Sequence, residues 1–399
     1  MENNDPKFLL VTANVGSLFE EYGEELRANW ISAFHKLISE NEPALIALHL
    51  QEVGGKSHDV SQDIVKNFFQ DLYEPEYFDD YYSVQSFVDE EYVDVKYTAM
   101  GCSYFIHKSL KGHLQQWNFH EKRFVVAAEG REINQITSDT LFLQKYKFPL
   151  SCYSKNQTRL PRKGFTCSKW RLFNKVFVLL NIHLTHDACN IEITRQSPTK
   201  YSGYRRRSLE YMLDRLKTLQ SDHQMMFGDF NVRPDTKALL EYLMDSKAVR
   251  HTLGAESEDA KPHTVIYRSC NGSTKDLLRI KERLFEFSDY EAFDGSHQTE
   301  ILKFDKELDW LLNDKFAELP ISFRPTYPHK ENPKDIGTYS FANVRCPSWC
   351  DRILIDQELD NQLSKSTMVY DTFGEDVALG DHKPVFLALH FTSGLQANH

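Results

Sequence analysis

Short apolar runs that close on a polar or turn-forming residue recur along this chain, and stretches with helical spacing lie between them. Phe8-Leu9-Leu10-Val11 and Ala44-Leu45-Ile46-Ala47-Leu48 predict buried strands. Leu26, Trp30, Ala33, Phe34, Leu37 and Ile38 repeat with a helical period, which predicts a helix over 24–38 that ends ahead of Pro43. Further helices are expected over 63–73 and 206–219. Runs over 99–106, 124–128, 163–171 and 176–184 predict strands, and Met225-Met226-Phe227 another, closed by Gly228. Residues 237–244, 276–287 and 302–312 carry helical patterns around a polar loop at 254–261, and strands return at 352–355 and 385–390. No internal repeat or Gly/Ser linker interrupts the series. The expectation is one α/β domain over 1–399, two stacked mixed β-sheets flanked by helices, with 236–315 as a helical segment within it.

Composition narrows the class. Hydrophobic residues at 41% and aromatics at 13% describe a folded chain rather than a disordered one. No apolar run approaches the roughly 20 residues of a membrane-spanning helix. The start, MENNDPKF, lacks the basic and apolar regions of a signal peptide. Seven cysteines without a CxxC pair predict reduced thiols, not a disulfide frame or zinc site. A cytoplasmic, monomeric protein is the expectation.

Charge adds a partner. The net charge is −11, yet no acid stands between Asp139 and Asp187. That window holds Lys145, Lys147, Lys155, Arg159, Arg162, Lys163, Lys169, Arg171 and Lys175, and the knot Arg205-Arg206-Arg207 follows. Such a window predicts a local trap for a compact polyanion, with Arg206 among its candidate contacts. The overall acidity argues against nucleic acid, which demands many phosphate contacts.

Polar side chains stand where apolar strands end: Asn14 after Phe8–Val11, Glu52 after Leu45–Leu50, and His183 after Val178–Leu180. Asp229 and Asn231 follow Met225–Phe227, and Asp381 and His382 lead into Val385–Leu389. Each alone has a bland reading, as a cap, a surface ion pair or a core histidine. Together they have a chemical sense. Glu52, helped by Asn14, supplies the oxygen ligands Mg²⁺ prefers. Asp229 can accept a proton from water. Asn231, His183 and His382 can donate to phosphoryl oxygens, with Asp351 orienting His382. No HExxH, Cys/His cluster or EF-hand spacing points to zinc or calcium.

FGDFNVR (227–233), PSWCDRIL (347–354) and GDHKPV (380–385) resemble the signature motifs of the inositol-polyphosphate 5-phosphatases, relatives of the DNase I-like endonucleases. TANV (12–15), QE (51–52) and NIHL (181–184) precede them in the expected order, so the resemblance spans residues 8 to about 390. It is nearest to the type I form, through VTANVGSLF and HLTHDACN. The resemblance implies a DNase I-like four-layer sandwich and the roles above, and makes Asp381 the acid beside the metal or the attacking water. It makes Arg162-Lys163 the loop gripping phosphates other than the scissile one, and Lys383 and Arg352 basic contacts, Arg352 with a structural alternative. Phe227, Val232 and Gly380 depart from common Trp, aromatic and Ser positions.

The implied substrates are the soluble inositol 1,4,5-trisphosphate and inositol 1,3,4,5-tetrakisphosphate, whose hydrolysis ends a calcium-release signal. Loops such as 81–88 are candidate membrane contacts. The type I form is expected to carry a Cys-a-a-X prenylation box for plasma-membrane anchoring, whereas this sequence closes Gly-Leu-Gln-Ala-Asn-His. A superfamily nuclease, a lipid 5-phosphatase and a non-catalytic inositol-phosphate binder are the competing readings.

Overall fold

The computed structural model describes residues 5–56, 62–73, 75–93, 95–155, 161–244, 247–254, 263–270, 275–293, 295–335 and 341–391. Arg159, nearly all of the polar loop 254–261 and the C-terminal hexapeptide lie outside them.

The apolar runs pair into two large mixed sheets. In the first, Lys7–Asn14 runs parallel to Leu45–Gln51 and antiparallel to Val385–His390. Val369–Thr372 closes one edge, and Gly101–His107, Tyr81–Val88 and Gly130–Gln135 extend the other. In the second, His223–Asp229 runs parallel to Lys175–His183 and antiparallel to Asp351–Asp356. Gly164–Leu172, Leu114–Asn118 and Arg123–Val126 continue that sheet.

Strand alternation sorts the core into layers. Phe8, Leu10, Leu179, Met225 and Phe227 meet between the sheets. Leu9 and Val11 face the other way, with Trp30 and Phe34 of the helix Gly23–Asn41. Val178, Leu180 and Met226 pack with Leu209 and Met212 of the helix Lys200–Leu216. This is the sandwich of helix, sheet, sheet and helix that the pattern predicted. Between the sheets Gln51 Nε2 donates to Asn181 Oδ1 at 2.7 Å, and His49 stacks on Phe227 with centroids 3.8 Å apart.

The segment 236–315 differs from the expectation. Helices form at Thr236–Met244, Gly295–Leu302 and Asp309–Leu312, but between the first two lies an antiparallel four-stranded sheet. Its strands are Ala248–Leu253, Thr264–Ser269, Asp276–Lys281 and Leu284–Phe287. The helix expected over 276–287 is a hairpin. Leu278 and Ile280, then Phe285 and Phe287, are buried at a spacing of two, and that period fits a sheet packed on one face. The helix expected over 302–312 is likewise broken, at 303–308. The candidate membrane loop 81–88 is an interior strand, with Val84, Phe87 and Val88 buried.

Candidate active site

Register brings the strand-end residues together. Parallel pairing sets Asn14 opposite Gln51 and His183 opposite Asp229, and antiparallel pairing sets Asp229 opposite Asp351. All five positions therefore fall at one end of the two sheets. Glycine permits the closest approach: a Cβ on Gly228 would stand 2.0 Å from the Ile182 carbonyl oxygen, so no side chain fits beside Asp229 there. Gly380, with φ of +112°, lies in the left-handed region, and a Cβ would meet Ser17 at 2.8 Å. A side chain at this position would be strained in this backbone.

The site is a cavity of about 640 Å³. Asn14, Glu52, Asp229, Asn231, Asp381 and His382 line it, together with the cations Lys56, Arg162, Lys163, Arg283 and Arg345. Asp229 is buried on its floor and held from several sides. Asn231 donates to it through its backbone N–H and its amide, each at 2.8 Å, and the Asn14 amide donates at 3.1 Å. Both amides are oriented by their other ends. Asn231 Oδ1 accepts from Arg233 at 3.1 Å, and Asn14 Oδ1 accepts from the Gly16 N–H at 3.1 Å. Burial alone would raise the Asp229 pKa, but the His183 contact and the charges of His382 and Lys163 overcome it and hold the carboxyl well below its ordinary range. Asp229 is ionised at neutral pH.

His382 stands on the opposite wall. Its Nδ1 donates to Asp351 Oδ2 at 2.8 Å, and the same oxygen accepts from the Thr326 hydroxyl at 2.7 Å. Burial opposes a charged imidazole, but the Asp351 carboxylate prevails and lifts its pKa to about 9. Burial raises the Asp351 carboxyl and the His382 charge works against that, and at neutral pH the proton between them belongs to His382; the Tyr327 ring is 4.5 Å from the imidazole.

Glu52 occupies the left-handed region, φ 57°, at the end of its strand. Its carboxylate is 3.7 Å from Lys163 Nζ and 3.6 Å from His183 Nε2. Burial works against ionisation, Lys163 and His183 favour it, and Asp381 and Asp229 repel it, with a net lowering of the pKa. Asp381 accepts from the Ser17 hydroxyl at 2.7 Å and pairs with Lys56 at 2.9 Å. Asp229, Asp351 and His382 each bring one potential ligand atom within 4.8 Å of the others. The His382–Asp351 hydrogen bond accounts for that grouping.

Several expected roles change with this geometry. Both Asn231 amide hydrogens are used, on Leu184 O and Asp229, so Asn231 holds the base and has no donor left for a phosphoryl oxygen. His183 lies beneath the cavity. Burial and the Lys163 charge lower its pKa, and its Nε2 meets Lys163 Nζ and stands 3.4 Å from Asp229. It is a neutral partner of the floor. Arg352 does not reach the cavity: its guanidinium is buried on Glu318 and Asp305, at 2.6 and 2.7 Å, which makes it a structural residue. Lys383 Nζ donates to the Gly374 and Val377 carbonyls, and Arg206 pairs with Glu210 beside Trp310, lining a different cavity. Of the acid-free window, Arg162 and Lys163 line the site. Lys145 is neutralised by Asp89 and Glu91, and Lys169 lies over Trp117.

Sequence reasoning passed over Arg233, Thr326, Tyr327 and Ser17, which orient the groups above, and Lys56, Arg283 and Arg345 on the wall. Arg233 lay within a quoted motif, and its fixed distance from Asn231 was the available signal.

Two sheets whose facing ends meet in a carboxylate-floored cavity with a histidine–aspartate pair define a protein of the endonuclease/exonuclease/phosphatase class. The model of Endonuclease/Exonuclease/phosphatase family 2 matches residues 285–388. The 5-phosphatase domain of SPsynaptojanin, solved with inositol (1,4)-bisphosphate and calcium, shares the fold with a TM-score of 0.50. It is 14% identical, over 97% of this chain and 84% of that one. Inositol polyphosphate-5-phosphatase A of Homo sapiens is 36% identical over 98% of this chain and 95% of its own. The Caenorhabditis elegans protein named probable type I inositol 1,4,5-trisphosphate 5-phosphatase is 28% identical over 96% and 99%. The chain belongs to the inositol polyphosphate 5-phosphatase family.

Proposed function

We propose that this cavity removes the 5-phosphate from soluble inositol polyphosphates, inositol 1,4,5-trisphosphate and inositol 1,3,4,5-tetrakisphosphate, and so ends a calcium-release signal. The observation that carries the reading is Asp229, ionised and fixed by Asn14 and Asn231, facing a charged His382–Asp351 pair across a cavity rimmed by cations. The names of the relatives supply the substrate class.

The residues fit Mg²⁺. Glu52, Asp381 and Asp229 bring three ionised carboxylates to one cavity, where Asp381 and Asp229 each work against the charge on Glu52. Their oxygens, with the free lone pair of Asn14 Oδ1, are hard donors of the kind this ion takes. Glu52 is the principal ligand and Asn14 its helper. A bound magnesium ion supplies charge neutralisation at the phosphoryl group.

This chain's own residues do the rest. Asp229 orients the attacking water for in-line displacement, without a covalent intermediate. Its low pKa makes it a weak base, so it takes the proton late, as the water oxygen bonds to phosphorus. That timing suits a loose phosphoryl-transfer transition state, in which positioning and electrostatics dominate. Asp351 occupies His382 Nδ1, leaving Nε2–H of the imidazolium to donate to a phosphoryl oxygen as charge develops. Arg162 donates to the Gly55 carbonyl at 3.1 Å and to that of Lys56, which steadies the loop carrying Glu52. Among the described residues no helix is long and apolar enough to cross a membrane. We propose a cytoplasmic monomer, a location that suits seven free cysteines.

Product analysis tests the reading. Inositol 1,4,5-trisphosphate should yield inositol 1,4-bisphosphate and phosphate. Loss of another phosphate, or cleavage of DNA, would overturn it.

A further inference from the structure

We propose that the inserted four-stranded sheet is a substrate-recognition element, and that Arg283 at its hairpin tip binds a phosphate of the inositol ring other than the one being cleaved. The inference rests on the 5-phosphatase reading above and adds a specificity residue to it.

Arg283 lies in the turn between Asp276–Lys281 and Leu284–Phe287, and it lines the catalytic cavity. The tip is fixed there by the main chain. The Asn190 N–H donates to Glu282 O at 2.9 Å, and the Phe285 N–H donates to Asn343 O at 3.0 Å. The Asn190 amide also donates to Val344 O at 2.9 Å, so the hairpin tip is tied to both cavity loops that flank it. Tyr290 hydroxyl adds a bond to Asn343 Oδ1 at 3.1 Å. Arg283 is therefore held in the cavity that Arg345 and His186 also line, by a backbone that is itself fixed.

An arginine at an exposed turn is usually a solvated one, and the same sheet supplies the comparison. Arg268 pairs with Asp276 at 3.0 Å, and Arg279 pairs with Asp276 at 2.7 Å and with Glu286 at 3.6 Å. Among the described residues Arg283 has no carboxylate within 4.0 Å. Its neighbour Arg345 likewise spends its N–H groups on the carbonyls of Val344 and Asp187. Two guanidinium groups that form no ion pair among the described residues thus line the cavity together with the acids Glu52, Asp229, Glu331 and Asp381, Arg345 feeling the Asp187 charge from beyond ion-pair distance. A guanidinium presents paired N–H donors that match a phosphate. A polyphosphate whose scissile group lies by Asp229 and His382 projects its remaining phosphates towards the rest of the lining, where Arg283 has no carboxylate partner among the described residues. The sheet thereby supplies the catalytic domain with a phosphate contact that neither large sheet provides.

The test separates this claim from the reading beneath it. Arg283→Ala and Arg283→Lys are compared with the parent enzyme for turnover of inositol 1,4,5-trisphosphate and for inhibition by inositol 1,4-bisphosphate and by inorganic phosphate. Inositol 1,4-bisphosphate carries only the phosphates that remain after cleavage. Arg283→Ala should raise KM and weaken inhibition by the bisphosphate by roughly tenfold, the loss of one charge-assisted contact. It should leave kcat and inhibition by inorganic phosphate within about twofold, and Arg283→Lys should recover part of the loss. Unchanged KM and unchanged bisphosphate inhibition would overturn the assignment, as would a fall confined to kcat. A parent enzyme that releases no phosphate would instead sink the 5-phosphatase reading, and bisphosphate binding measured by calorimetry would still decide the role of Arg283.

Discussion

Asp351→Asn isolates the charge that keeps His382 protonated. Asparagine preserves the volume and can still accept the Nδ1–H through its carbonyl, so the ring keeps its place while the anion is gone. The structure puts a scale on the loss. The His382 pKa stands at about 9 against an ordinary 6.5, which corresponds to about 3 kcal/mol in favour of the imidazolium. Burial opposes that charge, and Asp351 is the foremost group sustaining it, ahead of Asp229 and Asp381. Removing it should cost on the order of 2 kcal/mol, a factor of roughly 30 in the ratio of charged to neutral ring. The sign follows directly. The group is raised in the native enzyme, so the active cation persists below about 9 and is lost above it. In the variant, the alkaline limb of kcat should move down by between roughly one and two pH units. At pH near 8 the charged fraction drops from about nine-tenths to about a quarter, so kcat should fall roughly fourfold there and by close to 30-fold at pH 10. Steady-state phosphate release from pH 6 to 10, with circular dichroism to establish folding, reads both effects. A limb that stays near 9, with kcat down less than about threefold, would refute the role of the pair.

Asp229→Asn should abolish turnover while inositol 1,4-bisphosphate still binds, because it removes a charge and little volume; calorimetry beside the activity assay checks this, and a rate near that of the parent would contradict the assignment. Arg352→Ala should act on stability, leaving Asp305 and Glu318 buried without their cation. A loss of about 3–5 kcal/mol in urea unfolding, with KM unchanged in the protein that folds, is the expected result. A raised KM at unchanged stability would return Arg352 to the substrate.

The strand-end groups were legible because sheet physics makes them so. An apolar run that ends in Asn14, Glu52, His183 or Asp229 declares a polar group at a sheet edge, and short-range register then fixes which edge. The partners of those groups were not legible in the same way. Arg352 follows Asp351 directly, but alternation turns it to the opposite face, where Asp305 and Glu318 await it. The acid-free window misled for a related reason: Lys145 is neutralised by Asp89 and Glu91, which are distant in sequence and adjacent in space. The hairpin at 276–287 has leucine, isoleucine and phenylalanine at spacings that satisfy both periods, and only the packed neighbour strands decide between them. Arg283 carries no local signal at all, since nothing in Lys281-Glu282-Arg283 records where the tip of that hairpin docks.

The central claim is best met by phosphate release from inositol 1,4,5-trisphosphate measured with magnesium and again after its removal by a chelator, beside a water-soluble short-chain phosphoinositide lipid. Release from the soluble compound that requires magnesium, with little or none from the lipid, is the predicted result. Release that persists without a divalent cation, or that occurs from the lipid alone, would contradict the account.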